Sequence, residues 1–436
     1  MKKWTVLLIF LLPLFFSRCG KDEGIEYFTP QKAAWYFSEV EKLCNEDKGE
    51  LWGENLYGPI LFIDTRTRKL YSNTQDKEGL LKPTREGIFT GTYPREEVIN
   101  YAKEFGGTLY AMAPIPREED HYRISSRCIH GLFHCFQIRK NIDTPDYNTS
   151  HMGERTARLW LKMEWKALER AIRTNDELRK QAIRDALVFR SARRELYPRY
   201  IAEENKFENY EGLASFTYMT LSTGSEEEYL KKLMEYYHMI YNFRSYTTSY
   251  GFVHGNIYAY LLNETAYDLS SINSRDFDLG EMLRKQYDIV LPEISRDIAG
   301  SLAFSYDVDL VKEEERQREE QLREGLRRRT AQFTDKPVVL LELESPSFSF
   351  EAEDTDPVDT LGTIYQTIRV SDNWGKLAVE EGGCLLSPNL RFLRVPARNV
   401  KEEKMHVTGD GWHIVLNTNW ELVKLEENYL VRKLSP

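Results

Sequence analysis

The chain has 436 residues, of which 41% are hydrophobic and 29% charged, with a formal net charge of −10. That length suffices for two or three domains, and the apolar content is too high for a disordered polymer. The acidic balance excludes nucleic acid as the main partner. The five cysteines, Cys19, Cys44, Cys128, Cys135 and Cys384, form no CxxC pair, so neither a disulfide framework nor a thiolate zinc site is indicated.

The N-terminus reads as a processing signal. Lys2 and Lys3 precede an apolar stretch from Val6 to Phe16, which is too short to span a bilayer in the usual way. The following Phe16-Ser17-Arg18-Cys19-Gly20 resembles a bacterial lipoprotein box with Cys19 as the acylated residue. Arg18 stands where that box carries a small residue, and an ordinary signal peptide cut elsewhere is the alternative. Gly20-Lys21-Asp22-Glu23-Gly24-Ile25-Glu26 looks like the acidic tether of Bacteroidota-type lipoproteins, which implies a lipid-anchored, surface-exposed protein of the outer membrane. No other segment reaches the roughly 18 apolar residues of a membrane helix.

Thr29-Pro30 is a helix start, a cap followed by proline in the first turn. Ala33, Phe37, Val40 and Cys44 continue it at helical spacing. Pro59–Asp64 and Lys69–Ser72 read as two strands about a polar turn. Val98 to Phe105 reads as a short helix ended by Gly106-Gly107, and Thr108 to Ile115 as a strand whose Pro114 places it at a sheet edge.

From Ser125 to Leu302 the pattern is helical. Arg155–Arg173, Asp176–Leu196, Asn205–Leu221, Glu227–Tyr241 and Tyr250–Asn263 each repeat apolar residues three and four apart. Lys312 to Arg329 places Glu early and Arg late, as the helix dipole favours, and reads as a solvated connecting helix. Beyond Lys336, the runs at 338–341, 363–365, 376–379, 392–395 and 413–416 are strand-like and separated by turn residues, the pattern of an all-β domain.

The segment Arg127-Cys128-Ile129-His130-Gly131-Leu132-Phe133-His134-Cys135-Phe136-Gln137 carries two histidines four apart. On a helix His134 lies about 40° from His130, with Gln137 and Arg127 on the same stripe. Ile129, Leu132, Phe133 and Phe136 fall opposite, at core spacing. This is the metal-binding half of HExxH, whose glutamate serves as general base. Here Gly131 takes that glutamate's place. Glu211, in Asn209-Tyr210-Glu211-Gly212-Leu213-Ala214-Ser215-Phe216-Thr217, sits among apolar and small residues, an unfavourable place for an unpaired charge. Glu208, one turn earlier, is a second carboxylate on a neighbouring face.

The pair HGLFHCFQ at 130–137 and EGLASFT at 211–217 resembles a family of bacterial secreted zinc-peptidase-like proteins of the gluzincin kind, which carry HExFHxxQ followed by EGLAxYT. Leu51-Trp52-Gly53, Gly106-Gly107, Leu161–Leu168, Asp185–Arg190, Phe333–Val338, Asp372–Gly375 and Gly409–Trp412 extend the resemblance over most of the chain. It implies zinc as cofactor with His130, His134 and Glu211 as its ligands. Gln137 and Glu208 would be supporting residues, and Thr108–Ala113 the edge strand that pairs with a peptide. In the intact motif the glutamate accepts a proton and passes it to the leaving amine; glycine does neither.

The fold expected is α+β. Residues 1–18 would be a leader, 19–28 a tether, 29–124 a small α/β subdomain with an edge strand, 125–334 a helical zincin-like body, and 335–436 an all-β domain. The favoured function is a degenerate metallopeptidase that binds a peptide or protein without cleaving it. A working peptidase with a substitute base such as Glu208 is the second reading, and a metal-free structural or glycan-handling surface protein the third. Tyr250 or His254 as oxyanion donors, and Arg244 as a carboxylate clamp, are placed by no spacing argument. His151, His238 and His254 read as hydrogen-bonded structural residues.

Overall fold

The computed structural model describes residues 28–434 apart from 66, 95–100, 116–119, 276 and 351–354. The leader, Cys19 and the tether as far as residue 27 lie outside the described residues; Phe28, assigned to the tether, is instead buried against Tyr36, Phe62 and Tyr71. Among the described residues no helix is long and apolar enough to cross a membrane.

The fold is α+β, in two compact units that divide between Tyr306 and Asp307. The proposed α/β subdomain and helical body therefore belong to one unit. The charged helix, observed over Val308–Thr334, groups with the β-rich unit instead of the helical body.

The first unit begins with helix α1 (Pro30–Glu46), where the Thr29 side chain accepts from Lys32 N as the cap pattern requires. Its sheet contains β1 (Ile60–Ile63), β2 (Lys69–Ser72), β3 (Lys82–Pro83), β4 (Phe89–Thr92), β5 (Ala102–Phe105) and β6 (Thr108–Pro114), in the order β3-β4-β2-β1-β6-β5. Strands β1 and β6 run parallel, with Ile60 opposite Ala111, whereas β5 and β6 are an antiparallel hairpin with Ala102 opposite Ala111.

Two expectations are corrected here. Residues 102–105 are strand, not the end of a helix; residues 98–100 of that expected helix are outside the described set. Strand β6 is interior, and among the described residues β5 is the edge. The turn explains both: Gly106 and Gly107 have φ of +54° and +73°, which suits a two-residue hairpin whose central positions both need positive φ.

Strand periodicity sorts the sheet's two faces. Leu61, Ile63, Leu70, Tyr110 and Met112 share one apolar cluster. Phe62 points the other way, its ring 5.0 Å from that of Phe37 on α1. Ala111 also faces that side, small enough for helix α2 (His121–Lys140) to approach closely. Helix α2 starts at Asp120, whose side chain accepts from Arg123 N, and stops at Asn141 in the left-handed conformation.

The helices that complete this unit include α3 (Arg155–Arg173), α4 (Asp176–Leu196), α5 (Ile201–Phe207), α6 (Leu213–Ser222), α7 (Glu226–Tyr241) and α8 (Tyr250–Asn263). The expected helix at 205–221 is instead α5 and α6 joined by a π-helical turn at Glu208–Gly212.

The second unit contains the charged helix and two antiparallel-rich sheets of seven and six strands. Each of the five strand-like runs is a strand. Val339, Leu341, Leu393 and Val395 of one sheet share a core with Val370, Leu377, Trp412 and Ile414 of the other, as alternating strands in a sandwich do. Phe333, near the end of the helix, packs with Val358, Ile364 and Leu385 of the seven-stranded sheet.

Candidate metal centre

Helix α2 and the π turn bring His130, His134 and Glu211 together. His130 Nε2 stands 2.9 Å from His134 Nε2, and Glu211 Oε2 lies 3.2 Å and 3.5 Å from them. All three residues are buried. Among the described residues these are the only group of three or more potential metal ligands that converge. Ligand atoms of a tetrahedral zinc, at about 2.0–2.1 Å from the ion, stand about 3.3 Å apart. The observed separations fit that spacing.

The protonation pattern fits as well. Gln137 Nε2 donates to the Asn209 carbonyl at 2.9 Å, which turns Gln137 Oε1 toward His134 Nδ1 at 2.8 Å. An amide oxygen only accepts, so His134 Nδ1 carries the proton and Nε2 offers its lone pair to the trio. Burial, with His134 beside it, lowers the pKa of His130 and keeps it neutral. Burial would raise the Glu211 pKa, but the neighbouring imidazoles, His130 and then His134, bring it down to about 2. Glu211 Oε2 itself has no hydrogen-bond partner of good geometry. A buried, ionised oxygen without one is costly unless a cation satisfies it.

The π turn sets the position of Glu211. One extra residue in a helical turn rotates the side chains that follow, and such turns recur at functional sites. Helix α8 presses on this turn at backbone distance. A Cβ on Gly212 would stand 2.5 Å from the Gly255 Cα, and one on Gly255 would stand 2.4 Å from the Glu208 carbonyl oxygen.

Gly131 has a steric reason beside the chemical one. A Cβ at this position would stand 2.7 Å from the Tyr101 carbonyl oxygen and 3.1 Å from Ala111 Cβ. That carbonyl accepts from Met112 N at 2.8 Å, which ties it to the hairpin. The peptide-pairing strand implied by the resemblance was Thr108–Ala113. The structure gives that strand two neighbours and leaves β5 as the sheet's edge.

Glu208 is not in the trio. It is buried and paired with Arg190 through bonds of 3.0 Å and 2.6 Å. It belongs to a buried ionic network on α3, α4, α5 and the π turn. Arg193 donates to Glu164 and, at 3.1 Å and 3.2 Å, to Glu204. Arg194 links Glu204 to Asp278 at 2.8 Å and 2.6 Å. His151 Nε2 stands 2.8 Å from Glu204.

His254 belongs to the same network. Trp165 donates to its Nδ1 at 2.9 Å, and its Nε2 faces Glu164 at 3.1 Å and Arg190 at 3.0 Å. Tyr250 is buried against Phe207, and burial, with the charges of Glu204 and Glu208, raises the pKa of its phenol. His151 and His254 are thus structural, as expected, whereas His238 is exposed, 3.9 Å from Glu169. Arg244 is exposed between α7 and α8. Cys44, Cys128, Cys135 and Cys384 are buried free thiols.

Sequence reasoning missed the aromatic surround. The Tyr101 ring centroid is 4.5 Å from that of His130, Tyr218 is 5.9 Å and Phe252 6.2 Å from it, and Tyr210 is 4.2 Å from His134. Only Tyr210, next to Glu211, and Tyr218, seven residues after it, had a positional signal. The others come from separate elements. Comparison of the chain with protein-family models, with curated proteins and with solved structures gave no match in any of the three.

Proposed function

We propose that the chain is an outer-membrane lipoprotein, anchored through Cys19, that binds zinc at His130, His134 and Glu211 and holds a peptide or protein ligand there without hydrolysing it. The observation that carries the zinc reading is the Gln137 contact. It fixes His134 in the tautomer a metal requires, beside a carboxylate oxygen that lacks a partner.

Two observations support binding over cleavage. Gly131 supplies no carboxylate, and Glu208, the substitute considered, is consumed by Arg190. The phenols around the trio do not replace it. Burial, and then the Glu211 charge, raise the pKa of Tyr101, Tyr210 and Tyr236, which keeps them neutral and unfit as bases near pH 7. Bound zinc would supply a Lewis acid; the residues of this chain add orientation and an uncharged wall.

The test is metal analysis of residues 20–436. About one zinc per chain is expected, reduced to background by His130→Ala and by His134→Ala. Zinc content no higher than in the His130→Ala control would sink the proposal. Incubation of the zinc-loaded protein with a peptide mixture should leave the mixture intact, whereas zinc-dependent cleavage lost in His134→Ala would revive the peptidase reading. Labelling with a fatty-acid analogue in a bacterial host should mark the full chain and not Cys19→Ala.

A further inference from the structure

The geometry points to a peptide carrying an aromatic side chain as the ligand of this centre, the side chain entering a subsite walled by Tyr101, Tyr218 and Phe252. This rests on the metal reading above and adds the class of ligand. The three residues come from three elements, the approach to β5, α6 and α8, and so meet only in the folded chain. All three rings lie within 6.2 Å of the His130 ring.

Their exposure is what separates a wall from a core. Tyr101 is 41% exposed, and Tyr218 and Phe252 are half-buried, while His130 and His134 beside them are buried. Core aromatics of the same unit, such as Tyr71, Tyr93 and Tyr258, are fully buried. Large rings left half open around a buried polar trio offer faces and edges to an incoming ring.

A peptide is favoured over a sugar by the neighbouring strand. Strand β5 ends the sheet with one neighbour among the described residues, so its outer edge accepts an extended chain. Tyr101 leads into that strand, its carbonyl still within the β5–β6 pairing. A peptide strand laid there points alternate side chains toward the site. A sugar would need several acceptors for its hydroxyls, and the carboxylate of the trio, Glu211, is already assigned to the metal.

The test uses two chelating probes that differ only in side chain, phenylalanine hydroxamate and alanine hydroxamate. They are titrated calorimetrically into the zinc-loaded chain. The phenylalanine probe should bind at least tenfold tighter. Tyr218→Ala and Phe252→Ala should each keep their zinc and lose roughly three- to tenfold of that preference, the scale of one ring pair, while Tyr218→Phe retains it. Equal binding of the two probes to zinc-loaded parent chain overturns the aromatic subsite and leaves the metal site standing. So does a preference that survives both alanine variants, or tighter binding of a glucose oligomer than of the phenylalanine probe. A parent chain without zinc overturns both proposals.

Discussion

At the residue scale, the space around Gly131 matters as much as the missing carboxylate. Replacing a mid-helix glycine by alanine ordinarily gains about 1 kcal/mol. Here the new methyl meets a backbone oxygen held by its own hydrogen bond to Met112, and overpacking of that kind costs about 1–3 kcal/mol. Gly131→Ala should therefore leave the melting temperature unchanged or lower it, and a clear rise would show that the Tyr101 carbonyl yields freely. Gly131→Glu should not by itself create a peptidase, because its Cβ must first displace the edge strand. Zinc-dependent peptide cleavage by that single variant would refute this. Gln137 is the more sensitive position for metal: Gln137→Leu frees the His134 ring and should weaken zinc about 10- to 100-fold, read by competition with a chromogenic chelator.

Among the elements, what was legible followed from period and punctuation. Thr29-Pro30 marked α1, and the five C-terminal runs marked five strands. The trio itself was readable because two ligands share one helix and the third sits as a carboxylate in an apolar segment. Strand β5 was misread because Tyr101-Ala102-Lys103-Glu104-Phe105 carries polar residues that suit a helix, whereas the Gly106-Gly107 pair signalled a hairpin. The π turn carries no local sequence signal; α8, far away in sequence, packs on it at backbone distance. The backbone contact between Gly255 and the Glu208 carbonyl makes that packing testable. Gly255→Ala forces α8 away from the turn that carries Glu211, and should cut zinc affinity as well as stability. Loss of stability with unaltered zinc affinity would separate the turn from the metal site.

Across the whole molecule, the first unit is held by more than its apolar clusters, for a network of buried arginines and carboxylates joins its helices. Burial raises the carboxylate pKa values, but Arg193 opposes it at Glu164, and Arg193 with Arg194 does so at Glu204; both acids end well below their ordinary value of 4.5. A group whose folded pKa is depressed adds stability that is present above the unfolded value and lost as pH falls toward the folded one. The chain should therefore hold its urea midpoint from pH 7 to about pH 5, then lose it steadily below about 4.5. Arg193→Met removes one partner and strands two buried carboxylates, which should cost about 3–5 kcal/mol near neutral pH. In that variant Glu164 and Glu204 return toward ordinary values, so its stability should fall less steeply between pH 4.5 and 3 than that of the parent. Parallel acid profiles for the two proteins, or a parent flat down to pH 3, would mean that other groups govern acid stability.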